Sequence, residues 1–476
     1  MLRRSLKDVS DASSAPHSRV LVDISAALWE RAGIPQVARQ LTSILSSAPD
    51  IATSSLILSI HDSSDAGRFR GKAGAPNSLI EDAEFLADAL GQQQKRRTGL
   101  LASFRKSLKK LVSTQYPIIP IKKGPYDDVI WENYFAPGLG AHRRDLLPLV
   151  TFYRSPLTRR EVSWRLRKRL PCARLDTTGF DFVIFQNPSP IRVSPGTVKI
   201  IRCHDLVPLL RFDTQPIERH VIRDFHNSLS LCVKDSCFAC VSESTRKELI
   251  SFYPEAAEKA FVIPNSIIFS PSLSAVRSLT QAAPGDIYFL AVGTIEPRKN
   301  YCRLIDAFRA WRRSQPNAQQ SQNSQHLQRL VLVGNLGWRN EKELREIKLA
   351  VKEGWLTWHK EVSPDQLAAL YRSAHAFICS SMHEGFGIPP LEAAALGVPP
   401  LLSDLPVFRA HFGDSAEYFD PYDPSSITRA LTRFTPERRH QLQADAGQKA
   451  RQFEPARELA RWQELFARLC KQNAHA

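Results

Sequence analysis

An α/β fold of two doubly wound, Rossmann-like domains facing across a cleft is what this sequence predicts. Three observations point there: the length, a series of short apolar runs alternating with helical patterns, and the division of those runs into two sets. At 476 residues the chain exceeds the usual size of one domain, and two domains of roughly 200 residues each are expected. The first set of runs is RVLVDIS (19–25), SSLILSIH (54–61), DFVIFQN (181–187), VKIIRCHD (198–205), CFACVSES (237–244) and FVIPNS (261–266). The second is IYFLAVGT (287–294), RLVLVGN (329–335), AFICSS (376–381) and VPPLLSD (398–404). Runs of this length, apolar on both faces and separated by helices, read as parallel strands with crossover helices. Two sets make two doubly wound domains.

The elements between the runs fit that reading. After GTIEPRKN, Leu304, Ile305, Phe308 and Trp311 fall on one helical face. Near the end, Leu459, Trp462, Leu465, Phe466 and Leu469 form a second stripe, which predicts a closing C-terminal helix. SPSLSAVRSLTQAAPGD (270–286) is rich in Ser, Ala and Pro and reads as the linker, and the Gln-rich SQPNAQQSQNSQH (314–326) reads as a surface loop. The expected organisation is a flexible tail over 1–18, a first domain over 19–269, the linker, a second domain over 287–445, and the closing helix within 446–476.

Composition limits the function classes. The chain is 43% hydrophobic with a formal net charge of +16. Such a charge favours acidic partners: nucleotides, phosphates, anionic lipid or nucleic acid. Nucleic acid is not expected, because no recognition helix, zinc finger or aromatic-basic RNA-binding pattern occurs. The eight cysteines are scattered, which suits a reducing compartment. Cys237 and Cys240 form a CxxC, but within a strand they point to opposite faces and read as core residues. The opening MLRRSLKDVSDASSAPH has no apolar run after its basic start and is not read as a secretory signal. No stretch approaches the roughly 18 apolar residues of a membrane span, so a cytoplasmic location is expected. KRRTGLLASFRKSLKKLV (95–112) reads as a basic amphipathic helix of the kind that lies in a membrane interface, and TRREVSWRLRKR (158–169) would extend its basic surface. Docking on an anionic inner leaflet is the resulting expectation.

In open parallel sheets ligands bind beyond the carboxyl ends of the strands. The residues there include Asp23, His204, Asp205, Ser242, Gly293, Gly334 and Glu384. Asp23 and Asp205 also suit simple turn or helix caps. The stretch HEGFGIPPLEAAALG (383–397) is the most informative. Gly385 and Gly387 permit a tight turn and close approach of a ligand to the backbone. Pro390 is expected at the first helical position and Glu392 in the first turn. The free amides of such a helix start attract anions, while carboxylates on either side, Glu384 and Glu392, accept hydrogen bonds from hydroxyls. A diphosphate with hydroxyls at both ends fits, as in a nucleotide sugar. Arg298 and Lys299, after another strand of the same domain, are the cations to neutralise it. No Asp-x-Asp motif or His/Cys cluster at ligand spacing is found, so neither a metal nor a resident cofactor is expected.

GTIEPRKNYCRLIDAF, LVLVGNLGW and LAALYRSAHAFICSSMHEGFGIPPLEAAALGVPPLLSDLPV together resemble the donor domain of family-four retaining glycosyltransferases of the GT-B fold, whose hallmark is two glutamates with seven residues between them. VDISAALWERAGIPQVARQL, IIRCHDLVPL and CVSESTRKEL more loosely resemble the first half of bacterial surface-polysaccharide mannosyltransferases. The resemblance covers residues 19 to about 440. It implies that Glu384 contacts hexose hydroxyls, Glu392 the ribose, and Arg298 and Lys299 the diphosphate. Gly33 would let the first acceptor-side loop approach the phosphates, and His204 would lie near the sugar. The turn residues Gly385, Phe386 and Gly387 and the strand-end Gly293 would complete the donor site. The implied reaction moves a hexose, mannose from GDP-mannose, to a glycan or lipid-linked saccharide with retention and without metal. A UDP-sugar donor stands as the alternative, followed by a nucleotide-sugar epimerase or hydrolase and by a non-catalytic basic membrane- or nucleic-acid-binding protein. The chain departs from the family pattern at Ala410–His411 and at Ser266–Ile267.

Overall fold

Two parallel sheets organise the chain. The computed structural model describes residues 18–28, 33–59, 79–91, 114–139, 141–211, 219–268, 287–315 and 328–474. Residues 1–17 of the expected tail, the linker 270–286, residues 316–326 of the Gln-rich stretch and the basic strip 95–112 lie outside the described residues.

The first half contributes β1 (Ser18–Asp23), β2 (Ile51–Leu58), β3 (Gln115–Pro117), β4 (Ile119–Pro120), β5 (Thr151–Ser155), β6 (Arg174–Asp176), β7 (Phe182–Phe185), β8 (Val198–Cys203), β9 (Cys237–Cys240) and β10 (Ala260–Val262). Eight of these form one sheet in the order β10-β9-β8-β7-β1-β2-β5-β4. It is parallel apart from the antiparallel edge strand β4. β3 and β6 pair separately. The second half contributes β11 (Tyr288–Val292), β12 (Arg329–Val333), β13 (Leu356–His359), β14 (Ala376–Cys379), β15 (Pro400–Ser403) and β16 (Glu417–Phe419). They form a wholly parallel six-stranded sheet, β13-β12-β11-β14-β15-β16.

Alternation within the strands explains why both faces are covered. Val20, Val22, Ile184 and Ile200 enter one core cluster, and Leu21, Val183, Phe185 and Ile201 enter the other. In the second sheet Leu290, Val331 and Phe377 face one core, while Phe289, Leu330 and Ile378 face the other. Cys237 and Cys240 follow the same rule: Cys237 packs against the first cluster and Cys240 sits in the opposite one, both as free thiols. The stripe Leu304, Ile305, Phe308 and Trp311 is buried against the second sheet by the helix Tyr301–Ser314.

The C-terminal helix, Pro455–Ala474, packs on the first domain rather than the second. Trp462 is fully buried there, and Phe466 stacks on Phe182 of β7 at 4.4 Å between centroids. The chain therefore crosses between domains twice. Glu458 joins the crossings: one oxygen accepts from the buried Arg202 of β8 at 3.2 Å, and the other from the backbone of Ser266 at 2.7 Å.

The charges of the basic block 158–169 are divided between solvent and the interior. In the helix Arg159–Arg167, Arg159 turns to Asp23 at 2.8 Å, and Arg165 is buried against Glu161 at 3.1 Å. Acids inside the fold draw these cations inward, leaving Arg160, Arg167, Lys168 and Arg169 exposed.

Candidate active site

Each sheet order contains a point where the winding reverses, and in open sheets a crevice opens there. In the second sheet it lies between β11 and β14, so the segments that follow those strands meet. Met382 donates its N–H to Arg298 O at 2.9 Å, Ser380 Oγ donates to Lys299 O at 2.8 Å, and Asn300 Nδ2 donates to Ser380 O at 3.1 Å. The two signature strings GTIEPRKN and HEGFG are thereby joined along their main chains.

Glu384 is the electrostatic centre. Lys299 Nζ lies 2.6 Å from one carboxylate oxygen and Arg298 3.1 Å from the other. Ser381 Oγ adds a hydrogen bond at 2.7 Å. Burial acts to raise the Glu384 carboxyl, but Lys299 and Arg298 overcome it and hold it well below the usual carboxylate range. It is an anion that accepts hydrogen bonds. Arg298 also bonds Glu296 at 2.8 Å and donates to His383 O at 3.0 Å. Burial opposes its charge, yet Glu384 and Glu296 raise its pKa above the ordinary arginine value.

The helix after the turn spans Ile388–Ala395. It starts two residues before the position expected for Pro390, and Glu392 stands in its second turn rather than its first. Gly387, left-handed at φ 83°, initiates it. Pro389 and Pro390 both fit in the first turn, where amide N–H groups have no intrahelical partner. A Cβ at Gly387 would overlap the Phe408 ring. Glu392 accepts a hydrogen bond from Tyr371 Oη at 2.9 Å. Burial raises its pKa, and Tyr371 partly offsets this. The two glutamates of the motif thus differ in character: Glu384 is paired with two cations, Glu392 with a neutral hydroxyl.

The first domain closes over this turn. A Cβ at Gly385 would overlap the carbonyl oxygen of His204, so the residue must be glycine while the two segments touch. His204 is neutral at pH 7, lowered to about 3 by burial and by Arg202, although its bond to the Gln186 backbone opposes the shift. Its Nε2 has no hydrogen-bond partner among the described residues. Gly33 caps the helix Ile34–Ser46 with φ 70°. Gly293 follows β11, where Tyr301 Oη donates to its carbonyl at 3.1 Å. Phe386 is placed differently from the expectation of a ligand contact: its ring is buried in the second domain's core against His411 and Phe453, which leaves its main chain to the turn. Asp23 and Asp205 cap local turns, bonding the Ser25 and Val207 amides at 3.0 Å each. The structure therefore brings Glu384, Arg298, Lys299 and His204's main chain together, with Glu392 set back along the helix.

Several partners were not legible beforehand. Tyr371, Glu296 and Ser381 orient the charged groups from within the domain, and Ser242, Thr245, Glu248 and Arg211 reach the turn from the other one. Of these, Ser242 was marked by its place just after β9 and Glu296 stands two residues before Arg298; the others carried no sequence signal.

The architecture is the GT-B fold. The sucrose-phosphate synthase from Thermosynechococcus elongatus superposes with a TM-score of 0.61 at 14% identity, over 96% of this chain and 100% of that one. Anabaena Alr3699/HepE, solved in complex with UDP and glucose, gives a TM-score of 0.57 at 12% identity, over 95% and 100%. Residues 277–453 match the family model of the glycosyl transferases group 1. Among curated proteins, the O-antigen chain mannosyltransferase RfbU of Salmonella typhimurium is 30% identical over 250 residues, 50% of this chain and 65% of that protein. The serotype-specific mannosyltransferase WbdA of Escherichia coli is 30% identical over 253 residues, 48% of this chain and 28% of its own. A GDP-mannose:cellobiosyl-diphosphopolyprenol alpha-mannosyltransferase of Xanthomonas oryzae is 40% identical over 84 residues, 17% of this chain and 21% of that one. The chain spans less than two thirds of the length of each of these curated relatives.

Proposed function

We propose that the protein is a hexosyltransferase that moves mannose from GDP-mannose to a glycan or lipid-linked saccharide during surface polysaccharide synthesis, with retention of configuration and without a metal. The observation that carries this reading is the Glu384 carboxylate held by Lys299 and Arg298 at the switch point of the second sheet. Glu384, being ionised, accepts hydrogen bonds from hexose hydroxyls. The two cations beside it face the charge that grows on a departing diphosphate, and such help is worth a few kcal/mol, on the order of 10²- to 10³-fold in rate. Glu392, held by Tyr371, accepts from the ribose. With two fixed cations present, the leaving group needs no bound ion. The mannose assignment is supported by the curated relatives' names. Peripheral association with an anionic inner leaflet is proposed with it, on the net charge of +16 and the amphipathic strip 95–112.

Binding and turnover of a panel of GDP- and UDP-sugars in the presence of chelator, beside Glu384→Ala, test the reading. One donor turned over by the intact protein, and slowed at least about 10²-fold in the variant, is expected. A preference for a UDP-sugar would reassign the donor. No turnover of any donor, with any glycan acceptor, would overturn the transferase reading.

A further inference from the structure

The turn that carries Glu384 is held from both domains. Ser242 caps the helix Glu243–Phe252 of the first domain, accepting from Thr245 N at 3.1 Å. Its hydroxyl also donates to Gly385 O at 2.7 Å, and Thr245 Oγ1 donates to the same oxygen at 3.1 Å. One turn further along, Glu248 Oε1 lies 2.9 Å from His383 Nε2. Ser242, Thr245 and Glu248 stand three residues apart, which places them in one row on the helix surface. Arg211 donates to Met382 O at 3.2 Å, and His204 O packs against Gly385.

Three of four consecutive residues are bonded across. Met382, His383 and Gly385 are tied to the first domain, while Glu384 between them turns its side chain to Lys299 and Arg298 of the second. The backbone that aims Glu384 is thus held by first-domain residues as well as by Arg298, which accepts from Met382 N–H and donates to His383 O.

We infer that Ser242, Thr245 and Glu248 are positioning residues of the donor site: the first domain sets the aim of Glu384, so the hexose-binding carboxylate is in register only while the domains are together. This rests on the transferase reading above and adds to it a means by which the acceptor-side domain governs the donor. The groups that hold the nucleotide, Glu392, Arg298 and Lys299, all lie in the second domain, and Arg298 and Lys299 meet the row only through His383 and Glu384.

The test separates the two halves of the donor. Ser242→Ala/Thr245→Val is expected to lower kcat about tenfold or more, as the loss of two buried hydrogen bonds implies. Affinity for whichever nucleoside diphosphate the intact protein binds stays within about twofold by calorimetry, a shift far below one full hydrogen bond. Glu248→Ala gives the same pattern, and Glu248→Gln, which still bonds His383, recovers most of the rate. Unchanged kcat in the folded double variant would overturn the inference, as would a parallel loss of nucleotide affinity, which would place the damage inside the second domain. Small-angle X-ray scattering gives a readout independent of chemistry: the double variant should have a larger radius of gyration than the intact protein, and an equal radius would overturn the inference. If the intact protein turns over no donor, the transferase reading fails and the scattering comparison still decides the interdomain row.

Discussion

Glu384 and Glu392 stand in one motif with seven residues between them, yet their ionisation has opposite consequences for folding. Glu384 has its pKa depressed, so its ion pairs add stability above the unfolded-state value that is lost as pH falls through the folded one. Glu392 has its pKa raised by burial, so its ionisation opposes folding, with no penalty at low pH and a growing one as pH rises through the folded value. Glu392→Gln keeps an acceptor for Tyr371 and removes the buried charge. The melting temperature of this variant should match the unsubstituted protein near pH 4 and exceed it at pH 7.5, while donor affinity falls. A lower melting temperature at pH 7.5 would show that the ionised carboxylate is structural. At this scale the sequence spoke clearly where chemistry clusters locally, as in Arg298–Lys299 and the paired glutamates. It was silent about Tyr371, because its separation of 21 from Glu392 acquires meaning only when a strand intervenes and returns the helix to its side. The Phe386 placement was missed for a similar reason: a hydrophobic ring inside a ligand-binding motif can serve the core under it.

Most strands were legible as apolar runs, and those that were missed either carry charged or polar residues or span only two or three residues. β5 (TFYRS) contains Arg154, fully buried and paired with Asp82 at 2.7 Å, so a core strand carries a charge that its partner supplies from 72 residues away. β13 (LTWH) mixes polar residues into four positions, and β16 has three residues. The helix start at Ile388 was displaced because a left-handed Gly387 begins it, which lets two prolines occupy the first turn together. The C-terminal stripe was read correctly as a helix, but its docking surface depends on tertiary structure. Trp462→Ala should lower stability by about 3–5 kcal/mol, the usual cost of emptying a buried aromatic site. Hydrogen exchange should place the loss in β1 and β7 of the first domain, not in β11 of the second. Protection lost in β11 instead would contradict the packing described.

For the molecule as a whole, the two doubly wound domains were readable from the two sets of runs and the GT-B fold from the family resemblance, and the meeting of the domains at one turn was not, since the Ser242–Gly385 bond joins residues 143 apart. The net charge of +16 also acts at this scale. Vesicles containing anionic lipid should float the protein and neutral vesicles should not, with added salt reversing the effect as screening shortens the reach of the charges. Flotation independent of lipid charge would overturn the peripheral-membrane proposal. Among the described residues no helix is long and apolar enough to cross a membrane.

The return of Pro455–Ala474 to the first sheet has a consequence in time. β10 ends at Val262, and the Leu469 that completes the same core is made 207 residues later. At translation rates of about 5–20 residues per second, roughly 10–40 s separate the two. Throughout that interval Phe182 lacks the Phe466 ring that stacks on it, although every strand of its sheet has been synthesised. The nascent first domain is therefore a natural client for a chaperone that shields apolar surface, and a ribosome halted anywhere in the second domain would leave that surface uncovered.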